Sequence, residues 1–176
     1  MSDAPTVTLP ARLADVEPVR SIRTFARLEY QYTPGRAASR FLRQVEKKRL
    51  VGQRCPVCRK VYVPPRGSCP TDGVATEEEV ELGHTGTIVS FCVVNVPFMA
   101  NLMEIPYVGA LIQLDGSDIP IMHLIQEVPY DQVHPGMRVE AVWVPDEEIS
   151  HTLESITHFR PNGEPDADYD TYKEYL

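Results

Sequence analysis

The chain has 176 residues, 43% of them hydrophobic and 24% charged, enough for one good core with a small appended module and too short for two ordinary domains. No run approaches the eighteen or so apolar residues of a membrane span, and the first stretch lacks the apolar segment of a signal peptide, so a soluble cytoplasmic protein is expected. The net charge of -8 is unevenly divided: residues 1–66 hold 14 Lys+Arg against 5 Asp+Glu, a net +9, whereas residues 67–176 hold 3 against 20, a net -17. Either the basic part meets something anionic outside the chain, or the two parts attract each other within it.

Residues 1–35 read as an extended arm. Pro5, Pro10 and Pro18 break any periodicity, and Leu28, Tyr30 and Tyr32 alternate with Glu29 and Gln31 in a short strand or extended segment ending at Thr33-Pro34-Gly35. Residues 36–50 change to helical spacing, with Ala38, Phe41, Leu42 and Val45 on one face and Arg40, Arg43, Lys47 and Lys48 around the rest; Gly52 is expected to end this amphipathic helix.

Residues 51–81 contain the most informative pattern. Cys55-Pro-Val-Cys58 and Cys69-Pro-Thr-Asp72-Gly73 are two short turns of matching spacing, and two such turns facing each other close a tetrahedron around one structural Zn²⁺. Asp72 stands where such a ribbon usually has a fourth cysteine, and a harder oxygen ligand should loosen the site. The plainer alternative is a pair of proline-containing turns with unused thiols. The acidic run Glu77-Glu78-Glu79-Val80-Glu81 reads as a solvated connector.

Residues 82–160 carry five strand candidates: Thr87 to Val96, Tyr107 to Leu114, Ile119 to Val128, Met137 to Val144 and Leu153 to Phe159. The first is apolar on both faces, which implies burial on both sides and makes Cys92 a small core residue. With Gly83 and Gly86 placed to bend the first strand, and no helical pattern among the five, the expected fold is mainly β: a five-stranded OB-type barrel behind an N-terminal helix and a rubredoxin-like zinc ribbon. His123 falls within the third strand and His158 within the fifth. His123 is either a half-buried histidine bonded to backbone or part of a ligand channel. The polar tail, residues 161–176, should be flexible until Tyr169, Tyr172 and Tyr175 meet a surface.

Helix, knuckle, Val61-Tyr62-Val63-Pro64-Pro65-Arg66, second knuckle and barrel, in that order, resemble the zinc-ribbon plus OB-fold family called domain of unknown function 35. The resemblance covers roughly residues 36–160. It is most specific at Gly52-Gln53-Arg54-Cys55-Pro56-Val57-Cys58, Pro64-Pro65-Arg66, Cys69-Pro70 and Ile105-Pro106-Tyr107-Val108. Asp118-Ile119-Pro120-Ile121-Met122-His123-Leu124 and the segment Phe159 to Pro165 are similar to members found beside sterol-carrier-protein-type thiolases and steroid side-chain aldolases. The resemblance implies a subunit without a catalytic centre of its own, which completes or stabilises the acyl-CoA site of a thiolase-like or aldolase partner in a hetero-oligomer.

On that reading Arg40, Arg43, Lys47, Lys48 and Arg54 are candidates to hold the phosphates of a CoA thioester, against the simpler alternative of helix solubility. The alternative function is single-stranded nucleic-acid binding by the barrel. Residues 87–160 contain only two basic residues, Arg138 and Arg160, where a phosphate-neutralising groove needs several.

Overall fold

A computed structural model describes residues 11–13, 29, 31–96 and 103–175. The chain divides into two units, Met1–Tyr32 and Thr33–Leu176. In the first, Ala11–Leu13 forms a single 3-10 turn. Most of the expected arm, including Val7, Leu9 and Tyr30, and the connection residues Phe98, Met99 and Leu102 lie outside the described residues; Glu29, Gln31 and Tyr32 have no regular secondary structure.

In the second unit, helix α1 spans Arg36–Val45 and buries Phe41 and Val45. It stops five residues earlier than its periodicity predicts. Lys48, at φ 54, reverses the chain, and Leu50 begins strand β1 (Leu50–Arg54). Leu50 lies directly opposite Leu82, a contact no local pattern reveals. Gly52 therefore lies within β1 and does not end the helix. A Cβ there would stand 2.7 Å from Val61 Cγ1 and 3.1 Å from the Tyr62 carbonyl oxygen, so only glycine lets β2 approach.

Strands β2 (Val61–Tyr62) and β3 (Glu78–Leu82) flank β1 in a three-stranded sheet of order β2-β1-β3, both antiparallel to it. The acidic run is thus a paired strand, not a solvated connector. Its carboxylates meet arginines at both ends of β1: Glu81 accepts two hydrogen bonds from Arg49, and Glu78 takes Arg54 and Arg59.

The remaining strands, β4 (Thr85–Val94), β5 (Tyr107–Leu114), β6 (Ile121–Ile125), β7 (Arg138–Trp143) and β8 (Ile156–Pro161), close a barrel in the order β4-β5-β6-β8-β7. This is the expected five-stranded OB-type arrangement. Four of the five neighbouring pairs are antiparallel, and only β6 and β8 run parallel, touching at Ile125 and Phe159. Gly86 makes the tight crossing possible, because a Cβ there would fall 2.6 Å from the Gln113 carbonyl oxygen. A register shift between Ile88 and Ser90 then changes which residues face inward. Only Gly86 to Val89 of β4 are buried on both faces, and Cys92 is exposed, contrary to its expected place in the core.

One apolar cluster runs through the unit. Phe41 and Val45 of α1, Leu50, Val61 and Leu82 of the ribbon sheet, and Ile88, Ile112, Leu114, Val139 and Phe159 of the barrel all belong to it.

The tail is ordered against the chain's own barrel. Ala167 N–H donates to the Gly136 carbonyl, Arg138 donates to Glu164, and Tyr175 Oη donates to the Asp118 carbonyl at 2.9 Å. Tyr172 packs on Gly136, which has no Cβ to block it. No helix among the described residues is long and apolar enough to cross a membrane.

Candidate metal centre

β1 delivers Cys55 into the first knuckle, where its N–H bonds the Lys60 carbonyl and Arg59, at φ 66, turns the chain. The second knuckle repeats the construction: Cys69 N–H bonds the Val74 carbonyl, and Gly73, at φ 68, occupies the position equivalent to Arg59. Each knuckle thus presents two ligand atoms from one turn, the first residue buried and the second half-buried.

The four ligand atoms of Cys55, Cys58, Cys69 and Asp72 lie within 4.8 Å of one another. Cys58 Sγ is 3.7 Å from Cys69 Sγ, and Asp72 Oδ2 is 3.2 Å from both Cys55 Sγ and Cys69 Sγ. A tetrahedron with Zn–S bonds of about 2.3 Å has S···S edges of about 3.8 Å. Three soft sulfurs and one carboxylate oxygen at this spacing fit a structural Zn²⁺.

The protonation balance reflects the same crowding. Thiol hydrogen bonds, from Cys58 first, hold the Asp72 carboxyl below its ordinary range, and the bond to Asp72 pushes the Cys58 thiol up to about 11. Burial raises Cys69, but the Tyr62 phenol and neighbouring backbone N–H groups outweigh it and bring that thiol below its usual value.

The five basic residues of the expected anion surface are placed unequally. Arg54 is bonded to Glu78, and Lys48 is ion-paired with Asp146. Arg40 and Arg43 of α1 and Lys47 of the turn after it are exposed without an ion pair among the described residues. Arg43 lines a shallow cleft of about 370 Å³ with Ser39, Leu42 and His151.

His123 is half-buried and bonded to backbone: its Nδ1 accepts the Leu124 N–H at 2.9 Å, and its ring meets Phe159 edge-on. Burial lowers its pKa. His158 is buried in β8 and pairs with Glu127 at 2.9 Å. Sequence reasoning raised a ligand channel only at His123; the structure places His123 in an apolar groove of about 560 Å³ beside β6 and β8, with Cys92, Tyr107, Met122, Leu153 and Ile156, whose other residues it did not foresee. Met122, 77% exposed at an outward strand position, was a second signal. Both barrel cations are committed to carboxylates, Arg138 to Asp115 and Glu164, and Arg160 to Glu127 and Glu140.

Comparison with known proteins gives two family matches: the rubredoxin-like zinc ribbon domain of ChsH2 over residues 45–78, and the C-terminal OB-fold domain of ChsH2 over residues 79–144. A DUF35 domain-containing scaffold protein of Methanocaldococcus jannaschii is 36% identical over 99 residues, 56% of this chain and 70% of that protein. Among solved structures, a chain of the Ltp2-ChsH2(DUF35) aldolase is similar with a TM-score of 0.56 and 28% identity, covering 74% of this chain and 98% of that one. A DUF35-family protein from Sulfolobus solfataricus, 19% identical with a TM-score of 0.54, shares the fold over 72% of this chain and 84% of its own.

Proposed function

The chain belongs to the DUF35 family of zinc-ribbon and OB-fold proteins, and from that premise we propose that it is a non-catalytic, zinc-binding subunit of a thiolase-like or aldolase complex acting on acyl-CoA thioesters. The observation that carries the reading is its likeness to the Ltp2-ChsH2(DUF35) aldolase chain over 98% of that chain. Steroid or other lipid side chains are the substrate class implied by the resemblance to members found beside sterol-carrier-protein-type thiolases and steroid side-chain aldolases.

Two features of the molecule support it. The groove between β6 and β8 is lined mainly by apolar side chains, as a surface meant for an apolar partner or acyl chain would be. Arg40 and Arg43 on α1 and Lys47 just after it have no ion pair among the described residues and can meet the phosphates of CoA, whereas Lys48 and Arg54 would first have to leave Asp146 and Glu78. Nucleic-acid binding fits less well, since both barrel cations are already neutralised within the fold.

Co-expression with a thiolase-like protein encoded beside this chain tests the reading. A co-purifying complex that cleaves or condenses an acyl-CoA, with the partner alone insoluble or nearly inactive, is the expected result. A partner that is soluble and fully active without this chain sinks it. Titration of CoA at two salt concentrations separates the phosphate contacts from the rest: affinity should fall with salt and with charge reversal at Arg40 and Arg43.

A further inference from the structure

Tyr62 is a large side chain only 1% exposed, packed with Cys55 and Cys69 in a small cluster of its own beneath the two knuckles. A buried phenol needs a hydrogen-bond partner. Here the partner is sulfur: Tyr62 Oη lies 3.2 Å from Cys69 Sγ. A ligating thiolate has no proton to give, so in the metal-bound centre the phenol donates and the sulfur accepts. The Arg66 guanidinium sits 5.8 Å from the ring centroid, where a cation is attracted to the π face.

The position of Tyr62 is set from the barrel. Asp118, in the turn between β5 and β6, accepts the Val61 N–H at 2.8 Å and donates its own N–H to the Val61 carbonyl at 3.0 Å. The three sulfurs are therefore unequal. Cys69 is buried and receives both the phenol and the Asp72 N–H; Cys55 is buried and receives the Val57 N–H. Cys58 is half-buried, and its sulfur lies 3.7 Å from Cys69 Sγ.

We propose that Tyr62 is a positioning residue of the metal centre, whose hydroxyl anchors Cys69 as the least reactive thiolate, and that the centre opens at Cys58. Hydrogen bonds to a charged sulfur reduce the electron density it offers to metal or electrophile, so the sulfur without a hydroxyl donor and with solvent access reacts first.

The test uses the full-length zinc protein and its Tyr62→Phe variant. Each is treated with N-ethylmaleimide while released zinc is followed with 4-(2-pyridylazo)resorcinol, and the modified cysteine is mapped by mass spectrometry. Cys58 should be modified first in the wild type. Zinc release should be about tenfold faster in Tyr62→Phe, the scale of losing a hydrogen bond to a charged group. In the cobalt(II)-substituted proteins the sulfur-to-cobalt charge-transfer band should move to lower energy in the variant, a change that loosened packing alone would not produce. Equal release rates with an unshifted band overturn the proposal, as does modification that begins at Cys55 or Cys69. If Tyr62→Phe does not fold, mapping on the wild-type protein decides alone: modification that begins at Cys58 supports the proposal, and modification that begins at Cys55 or Cys69 overturns it.

Discussion

In the barrel, order comes from side chains: Ile88, Ile112, Leu114, Val139 and Phe159 meet from five strands that are far apart in sequence. In the ribbon, the sheet has only one two-residue and two five-residue strands, and the two knuckles pack Cys55 and Cys69 on Tyr62 of β2 as a small buried cluster. The two regions nevertheless share a seam, because Leu50, Val61 and Leu82 of the ribbon sheet, with Val63 just after β2, belong to the barrel's apolar cluster. The ribbon is thus half core and half coordination. Its sheet is held as the barrel is, and its knuckles converge on the four atoms that fit a metal ion.

That division makes its sharpest prediction for metal loss. Structural zinc contributes on the order of 10 to 16 kcal/mol in finger peptides at neutral pH, so Cys58→Ala or chelation should unfold both knuckles. Hydrogen exchange should show protection lost at Cys55 to Ala75 and retained in β4, β5 and β8. Purified protein never exposed to chelator should hold about one equivalent of zinc, where less than about a third would contradict a structural role. Asp72→Cys should tighten the site. Collapse of the barrel along with the knuckles would show that the shared seam dominates and the comparison fails.

The complementary change is Phe159→Ala, which empties the centre of the barrel. It should cost about 3–5 kcal/mol in urea unfolding while leaving the zinc content of the folded fraction unchanged. Loss of zinc at equal severity would mean that barrel and knuckles unfold as one.

A smaller effect is expected at the barrel's rim. Arg138 ties Asp115 and Glu164 to β7, and both carboxyls are held below their ordinary values, Asp115 chiefly by the Arg138 hydrogen bond and Glu164 by Asn162 and then Arg138. A depressed carboxyl stabilises the fold above its unfolded pKa, and that contribution is lost as the pH falls through the folded one. Arg138→Met should therefore cost about 1 kcal/mol near neutrality and flatten the stability profile below pH ~5. Unchanged acid sensitivity would show that the tail is held by Tyr172 and Tyr175 alone.

The smallest effect belongs to His123. Its pKa is lowered by burial, so above the ordinary value of 6.5 it is neutral in both states, and as the pH falls below that value the unfolded chain takes the proton first. Stability should decline with acidification until the folded pKa is passed. His134 acts in the opposite sense, since the Gln132 carbonyl and Asp166 raise its pKa. The measurement is urea unfolding from pH 8 to 5 in a His134→Asn background, with and without His123→Gln; identical slopes would remove His123 from the account.

Much of this was readable in advance where chemistry is local. The spacing of Cys55, Cys58, Cys69 and Asp72 specified two equivalent turns, and the structure brings those four ligand atoms together. Alternation located all five barrel strands, and Tyr107–Leu114 has the predicted limits. The end of the helix was misread because Leu50 and Val51 continue its apolar pattern, and only Leu82, thirty-two residues away from Leu50, draws that pair into a strand. The acidic run looked like a solvated connector because its counterions, Arg49, Arg54 and Arg59, come from β1 and the segments that flank it. Cys92 left the core because the register shift at Ile88 and Ser90 turned its face outward, which alternation counted in steps of two cannot foresee.

Ligand type, turn chemistry and strand alternation depend on a residue and its near neighbours, so they are written into the chain itself and they carried the fold class and the four-residue metal cluster. The docking of the Tyr172 and Tyr175 tail, the pairing of Lys48 with Asp146, the phenol of Tyr62 on Cys69 and the gap between β6 and β8 were settled by folding. Each depends on which distant surfaces meet once the barrel closes, and a side chain's partner across such a contact leaves no periodic mark in the sequence.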